Sequence, residues 1–383
     1  MSVTAPGGFR AAGVHAGLKP SGRPDVALVV NDGPDCAAAA VFTTNRCVAH
    51  PVLWSRQALC DGVARAVLLT SGGANCFTGP DGFALTHETA EAVAVQLGAG
   101  AIDVQVCATG LIGVLPDRGR TLAGVEQATA SLDADGGDAA AEAILTTDSV
   151  PKQTLVEEGG YSVGGMAKGA GMLAPSLATM LVVLTTDAVA DAPTCDAALR
   201  AATRETFDRL DSDGCTSTND QVLLMSSGRS GVRPTYDALA STLRTACHEL
   251  AMQLLADAEG ADHEIAVRVT GAASEDDAVE VARSVARSNL FKAAVFGRDP
   301  NWGRILASVG TTSAAYDPLD LDVTLNGIRV CRATAAADPA DRVDLSGRQV
   351  DVLVDLKVGN ATATVWTNDL THAYVHENSA YST

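Results

Sequence analysis

Basic residues are scarce in this sequence of 383 residues. It contains 27 Lys and Arg against 46 Asp and Glu, which gives a formal net charge of −19. Nucleic acids and anionic membrane surfaces are bound through clusters of positive charge. The composition therefore argues against nucleic-acid and membrane partners and favours a protein that acts on small molecules.

Cysteine pairs at metal-binding spacing are missing as well. The nine cysteines include no CxxC pair and their number is odd, so neither a zinc site nor a disulfide framework is indicated. The first ten residues contain no charged segment followed by an apolar one. We therefore expect free thiols and a cytoplasmic location.

Familiar nucleotide and protease motifs are also absent. The chain has no GxxxxGK[ST] and no HExxH motif. Gly169–Ala174 fits the dinucleotide pattern G-x-G-x-x-G/A, but Pro175 follows and a strand pattern comes next, where that motif requires a helix. The uncharged stretch 169–186 is short for a membrane span and is interrupted by Gly, Pro and Thr.

Short apolar runs and helical patterns are mixed along the chain without strict alternation. Helical periodicity is clearest at 236–258, after Ser274 and after Thr86. This mixture predicts an α/β fold in which helices cover layered sheets. The predicted strands are 25–30, 39–43, 64–70, 103–109, 179–185, 221–226, 264–270, 319–325 and 350–356.

Thr179 is the strongest candidate for a nucleophile. It follows a Gly- and Pro-containing segment that ends in Ala178, a small residue with an open carbonyl, and it begins a predicted buried strand. Attack of its hydroxyl on that carbonyl would cut the chain and free an α-amine with a pKa of about 7.7–8.0. Such an amine can act as the base for its own hydroxyl. An oxyanion hole could come from Thr109 and Gly110, at the end of a predicted strand.

Lys168 stands out because only five residues of the chain are lysines. It lies at the edge of the buried segment and could bind a substrate carboxylate, or it could be an ordinary strand-end lysine.

The segment 168–181, KGAGMLAPSLATML, resembles the nucleophile motif of the ornithine acetyltransferases, also called glutamate N-acetyltransferases. Further segments similar to that family follow in the same order over nearly the whole chain, although Gly73 stands where the family often has Asn. These segments are 71–75, 108–113, 146–148 with 151–152, 217–220, 257–260, 299–304 and 377–381.

The resemblance implies an αββα sandwich like that of N-terminal nucleophile enzymes, with its own connectivity. It implies cleavage between Ala178 and Thr179 into an α chain of 1–178 and a β chain of 179–383, assembled as α2β2. Thr109 and Gly110 would stabilise the oxyanion. Substrate contacts would come from Thr146 or Thr147, Lys168, Thr179, Glu259, Asn378 and Thr383. The polar tail 376–383, which composition alone would leave disordered, would then fold over the site.

The implied reaction moves acetyl from N2-acetylornithine to glutamate through an acetyl ester on Thr179, without a metal or a nucleotide cofactor. Acetyl-CoA is a possible further donor. Three alternatives remain: an amidohydrolase or aminopeptidase of the same nucleophile class, an acyltransferase of secondary metabolism, and an inactive binding protein that stays uncut.

Overall fold

The computed structural model describes residues 2–172 and 180–380. The strands in these ranges are β1 (Phe9–Val14), β2 (Val26–Asn31), β3 (Ala38–Phe42), β4 (Ala66–Thr70), β5 (Val104–Ala108), β6 (Lys152–Glu158), β7 (Tyr161–Lys168), β8 (Leu181–Thr186), β9 (Gln221–Ser226), β10 (Glu264–Ala272), β11 (Asp322–Leu325), β12 (Ile328–Arg332), β13 (Ala335–Ala336), β14 (Gln349–Asp355) and β15 (Ala361–Asn368). The α-helices are α1 (His50–Ala58), α2 (Gly79–Leu97), α3 (Arg118–Ala130), α4 (Gly137–Ala143), α5 (Ala192–Glu205), α6 (Tyr236–Ala256), α7 (Glu275–Ala286), α8 (Asn289–Phe296), α9 (Trp302–Val309) and α10 (His372–Ala380).

Two sheets pack face to face. The first has the strand order β1-β2-β4-β5 and the second β3-β9-β8-β7-β6. Successive side chains of a strand point to opposite faces, so β8 directs Leu181 and Val183 towards the first sheet and Val182 and Leu184 away from it. Because both faces of these strands are buried, their sequences are continuously apolar rather than alternating.

Helices cover the two outer faces. Helices α1, α2 and α3 pack on the first sheet, and α5 and α6 pack on the second. The layers therefore follow one another as helix, sheet, sheet and helix. The predicted αββα sandwich is confirmed.

A third sheet lies in the C-terminal part of the chain. Its strand order is β13-β12-β11-β14-β10-β15, and α7, α8 and α9 contribute to its aliphatic core. This core is separate from those of the sandwich. The second sheet contains strands from both predicted chains. Strand β7, from 1–178, pairs with β8, from 179–383, and Lys168 lies opposite Leu181. Both proposed chains therefore contribute strands to one sheet, and the junction residues Ala178 and Thr179 lie outside the described residues.

Two of the three predicted helix starts are confirmed, including Tyr236 as the first residue of α6, and one is wrong. Ser274 caps α7 as expected, since its side chain accepts a hydrogen bond from the Asp277 amide. Helix α2, however, begins at Gly79 and not near Thr86. The Thr86 hydroxyl bonds within the helix to the Gly82 carbonyl, at 2.9 Å, and caps nothing. In the described part of the chain, no helix is long and apolar enough to cross a bilayer.

Candidate active site

A cavity opens where β5 and β7 end and where β8 and β9 begin. Seven residues that the sequence singled out from separate segments line it: Thr109, Gly110, Thr146, Thr147, Lys168, Glu259 and Asn378. The remaining lining residues are Ala74, Ile112, Gly171, Met172, Ser217, Thr218 and Asn219. The other three predicted site residues, Ala178, Thr179 and Thr383, lie outside the described residues.

The turn after β5 brings a buried hydroxyl and a glycine amide together. The Thr109 amide donates to the Thr70 carbonyl at 2.9 Å, and the Thr109 carbonyl accepts from the Gly73 amide at 3.0 Å. Gly110 has a φ of +121°, and a Cβ atom there would lie 2.9 Å from the Gly73 nitrogen. Only glycine therefore fits this turn without displacing the loop 71–75.

Asn219 connects the same loop to the end of β5. Its buried Nδ2 donates to the Ala74 carbonyl at 2.6 Å and to the Ala108 carbonyl at 2.8 Å. The sequence analysis placed Asn219 in a family-like segment but assigned it no role. Its partners are about 110 to 145 positions away in the chain, a relation that no local pattern encodes.

Lys168 belongs to a buried network of charges. Its Nζ lies 3.9 Å from Asp148 Oδ2 and donates to Thr109 Oγ1 at 3.3 Å. Asp148 Oδ1 accepts from Lys152 Nζ at 2.6 Å, and Lys152 Nζ also donates to Asp257 at 2.5 Å. Both lysine side chains are at most 2% exposed. The Lys152 side of this network was missed, because its carboxylate partner Asp257 comes from the end of α6.

Burial and neighbouring charges have opposite effects on the pKa values of this network. Burial raises the pKa of Asp148, but the nearby ammonium groups of Lys168 and Lys152 outweigh it and hold that pKa well below its ordinary value. Burial lowers the pKa of Lys168, and the carboxylate of Asp148 works against this change. The Thr109 hydroxyl accepts from Lys168, so its own hydrogen remains available to an oxygen in the cavity.

A second carboxylate, Glu259, lies at another wall of the cavity. It accepts from the Thr147 hydroxyl at 2.8 Å and from Asn378 Nδ2 at 3.1 Å. A Cβ atom at Gly171 would lie 2.6 Å from Glu259 Oε2, so the approach is close. Helix α10 therefore reaches the cavity through Asn378.

The two neighbouring threonines have different partners. The amide of Thr146 donates to Asp148 Oδ2 at 3.0 Å, whereas the Thr147 hydroxyl contacts Glu259. Both threonines are half-buried and line the cavity. The pair thus links the two carboxylates of the site.

Met180 directly precedes β8. Met180 is buried, its amide donates to Asp220 Oδ1 at 3.0 Å, and its carbonyl accepts from the Gln221 amide at 3.3 Å. Met180 therefore leads into the second sheet beside the end of β7.

A model of the ArgJ family matches residues 10–383 of this chain. The chain belongs to the ArgJ family. Its relatives include the arginine biosynthesis bifunctional proteins ArgJ of Streptomyces coelicolor, 59% identical over 382 residues, and of Thermobifida fusca, 58% identical over 383 residues. Each alignment covers 100% of both chains. The family predicted from the motifs is confirmed.

Solved structures of ArgJ proteins cover about half of this chain. The ornithine acetyltransferase of Mycobacterium tuberculosis, complexed with ornithine, is 58% identical over 46% of this chain and 96% of that chain, with a TM-score of 0.46. The arginine biosynthesis bifunctional protein ArgJ of Bacillus halodurans is 35% identical over 52% of this chain and 98% of that chain, with a TM-score of 0.50.

Proposed function

We propose that this ArgJ-family chain is an acetyltransferase that moves the acetyl group of N2-acetylornithine to glutamate, giving ornithine and N-acetylglutamate. The observation that carries the proposal is that seven predicted site residues, from five separate segments of the chain, line one cavity. The names of the similar proteins support it, since they include an ornithine acetyltransferase complexed with ornithine and full-length arginine biosynthesis bifunctional proteins.

The proposed reaction has two steps. Thr179 Oγ attacks the acetyl carbonyl, and the α-amine of Thr179 takes the hydroxyl proton. The Thr109 hydroxyl and the Gly110 amide stabilise the oxyanion of the tetrahedral intermediate. Ornithine leaves with the proton, and an acetyl ester remains on Thr179. The amine of glutamate then attacks this ester and passes through the same oxyanion site.

The substrate contacts follow from the charges at the cavity wall. Both substrates carry an α-carboxylate, for which Lys168 supplies a buried ammonium. Glu259 is the proposed partner of the ornithine side-chain ammonium, and the residues that contact it, Thr147 and Asn378, complete this wall. Thr146 and the terminal Thr383 are further proposed contacts.

The proposal includes self-cleavage between Ala178 and Thr179 and assembly of two α and two β chains. The solved Bacillus halodurans chain supports a two-chain form, because 98% of its length matches only 52% of this chain. The nine cysteines are all free thiols, which supports a reducing, cytoplasmic location. Acetyl-CoA is proposed as a second acetyl donor, with no other cofactor.

Intact-mass measurement of the purified protein tests the nucleophile. We expect two fragments, 1–178 and 179–383, and a single uncut chain in the variant Thr179→Ala, which should also lack transfer activity. Ser176→Ala, in the same segment, serves as the control and should be cut. A wild-type chain that stays uncut on incubation would contradict the mechanism.

Product analysis tests the reaction. With acetylornithine and glutamate, the products should be ornithine and N-acetylglutamate, whereas release of acetate at the same rate without glutamate would indicate a hydrolase. Replacing glutamate by a panel of other amines tests for an acyltransferase with a different acceptor. Incubation with acetyl-CoA and glutamate tests the second donor.

Glu259→Gln tests the side-chain contact. The amide keeps the shape of the carboxyl group but loses its charge, so the KM for acetylornithine should rise more than the KM for glutamate. An equal rise for both substrates would contradict the role of Glu259.

A further inference from the structure

The side chain of Asn219 joins three segments of the chain at the cavity. Asn219 lies two residues before β9, lines the cavity and is buried. Its Nδ2 donates to the carbonyls of Ala74 and Ala108, at 2.6 and 2.8 Å, and its Oδ1 accepts from the Thr218 hydroxyl at 2.6 Å. Carbonyl oxygens can accept only from the nitrogen of an amide group, so these partners fix the orientation of the side chain. Both hydrogens of Nδ2 are therefore in use.

The bond to Ala108 holds the peptide unit that leads into the proposed oxyanion turn at 109–110. The carbonyl of this unit, from Ala108, accepts from Asn219. Its N–H, from Thr109, donates to the Thr70 carbonyl at 2.9 Å. A planar peptide unit that is bonded on both sides cannot rotate without losing a hydrogen bond. The Cα atom of Thr109, which carries the hydroxyl side chain, is therefore held in place.

The bond to Ala74 acts on the next peptide unit. Ala74 belongs to the loop 71–75, and the residue before it, Gly73, donates its amide to the Thr109 carbonyl at 3.0 Å. Because the peptide unit is trans, the Gly110 N–H points in the opposite direction from that carbonyl, away from the loop. Within 2–172 and 180–380 the Gly110 N–H has no hydrogen-bond acceptor, and Gly110 lines the cavity. The loop thus orients the second proposed oxyanion donor.

We propose that Asn219 is a positioning residue for acetyl transfer, an inference that rests on the proposed function. It acts through the Thr109 hydroxyl and the Gly110 amide, which it keeps aimed at one oxyanion position. An oxyanion hole is effective because its donors are fixed before charge develops on the oxygen. One side chain that ties both neighbouring peptide units to the start of β9 supplies this rigidity.

Asn219→Ala in the full-length enzyme removes both bonds. Because Asn219 lines the cavity, water can enter the vacated space and bond to the two carbonyls, and we expect the variant to fold. Water does not hold the two peptide units in one position. The kcat for transfer from acetylornithine to glutamate, per molecule cut between 178 and 179, should fall by about 100-fold, the loss that a misplacement of about 1 Å can cause.

The KM values separate this role from a loss of substrate binding. The proposed substrate contacts Lys168 and Glu259 are bonded to Thr109, and to Thr147 and Asn378, rather than to Asn219. The KM for acetylornithine and the KM for glutamate should therefore stay close to their wild-type values. A loss that appears in KM while kcat is unchanged would overturn the inference.

Gln221→Met is the matched control. Gln221 is the first residue of β9 and is buried, and its Nε2 donates to the Val106 carbonyl of β5 at 3.0 Å. This bond also joins the start of β9 to β5 through a side-chain amide, but it lies two residues further from the turn. Both variants should lower the thermal midpoint, and only Asn219→Ala should lower kcat. Equal kcat values in the two variants would overturn the inference.

Hydrogen exchange of the Gly73 amide is a second readout, which does not require the variant to be cut or active. It is measured by NMR on protein that contains isotope-labelled glycine. Exchange should be faster in Asn219→Ala than in Gln221→Met, because the loop that bonds to Thr109 is no longer held. Equal exchange rates would overturn the inference. A wild-type enzyme that transfers no acetyl would instead overturn the proposed function.

Discussion

The cavity end of the sandwich and the core of the C-terminal sheet differ in the number of ionisable groups that they bury. At the cavity end of the sandwich, Asp148, Lys152, Lys168 and Asp220 are all buried. The core between the third sheet and its helices consists of aliphatic side chains with one Phe and one Cys. The ion pair of Lys357 with Asp320 is partly exposed. The buried charges of this part are the pair His263–Asp369, directly before β10 and directly after β15, and Lys292 on α8.

This difference separates a region with a chemical task from one with a structural task. Removing an ion from water costs several kcal/mol, and a buried pair repays the cost only when its geometry and hydrogen bonds are good. An aliphatic core avoids that cost, and the third sheet uses one. The sandwich keeps four buried ionisable groups where the proposed substrates and cleavage site would meet.

Asp148→Asn should have the largest effect on stability. It leaves the ammonium groups of Lys152 and Lys168 without their shared carboxylate, and breaking a buried pair in this way costs about 3–5 kcal/mol. Urea denaturation of the wild type and the variant gives the difference in the free energy of unfolding. If the two free energies of unfolding differed by only about 0–1 kcal/mol, as for an exposed ion pair, the buried charges of the sandwich would matter no more than surface charges.

The stability difference between the wild type and Asp148→Asn should depend on pH. Because the folded-state pKa of Asp148 is depressed, its contribution to stability is present above the unfolded-state pKa and is lost as the pH falls towards the folded-state pKa. The stability gap between the wild type and Asp148→Asn should therefore be constant at neutral pH and shrink below about pH 4. Urea titrations at several acidic pH values measure the gap.

Gly110→Ala should lower acetyl transfer by about 100-fold, as expected when one oxyanion donor is displaced. The added Cβ would lie 2.9 Å from the Gly73 nitrogen at a φ of +121°. Gly113→Ala is the matched control, because Gly113 also has a positive φ, +84°, but open space around the Cβ position. Similar losses of kcat/KM in both variants would mean that backbone strain, and not the oxyanion turn, is responsible.

Lys19→Met should change the slope of stability against pH on the alkaline side. Burial lowers the pKa of Lys19 to about 8, and its Nζ donates to the Leu145 carbonyl at 2.7 Å. Between about pH 8 and 10.5 the unfolded chain holds a proton that the folded chain has lost, so this residue makes stability rise with pH. In Lys19→Met, the thermal midpoint should therefore rise less steeply with pH over this range than in the wild type. An unchanged slope would contradict this prediction.

Lys357→Met, in the third sheet, should have the smallest effect. Its Nζ bonds to Asp320 and Asp322 at 2.6 Å, but partly exposed pairs contribute only about 0–1 kcal/mol. Acetyl transfer should not change. A loss of several kcal/mol in urea denaturation would show that the C-terminal unit also depends on charge.

Local patterns were sufficient for part of the fold. The apolar run of β8 and the Ser274 cap of α7 are both short-range signals, and both were predicted. The hairpin of β6 and β7 was missed because β7 contains Gly164 and Gly165, which weaken a strand pattern. The start of α2 was missed because Gly79 and Pro80 resemble a turn more than a helix.

The sequence by itself determined the family, the αββα layers and seven residues of the cavity wall, because these depend on ordered segments and on local periodicity. Tertiary structure alone decided that Asp148 joins Lys152 to Lys168, that Asn219 connects the loop 71–75 to β5, and that the buried Asp220 accepts the Met180 amide. Each of these depends on which side chains burial brings together from distant parts of the chain. Whether a buried charge finds a partner is set by that packing and not by its neighbours in sequence.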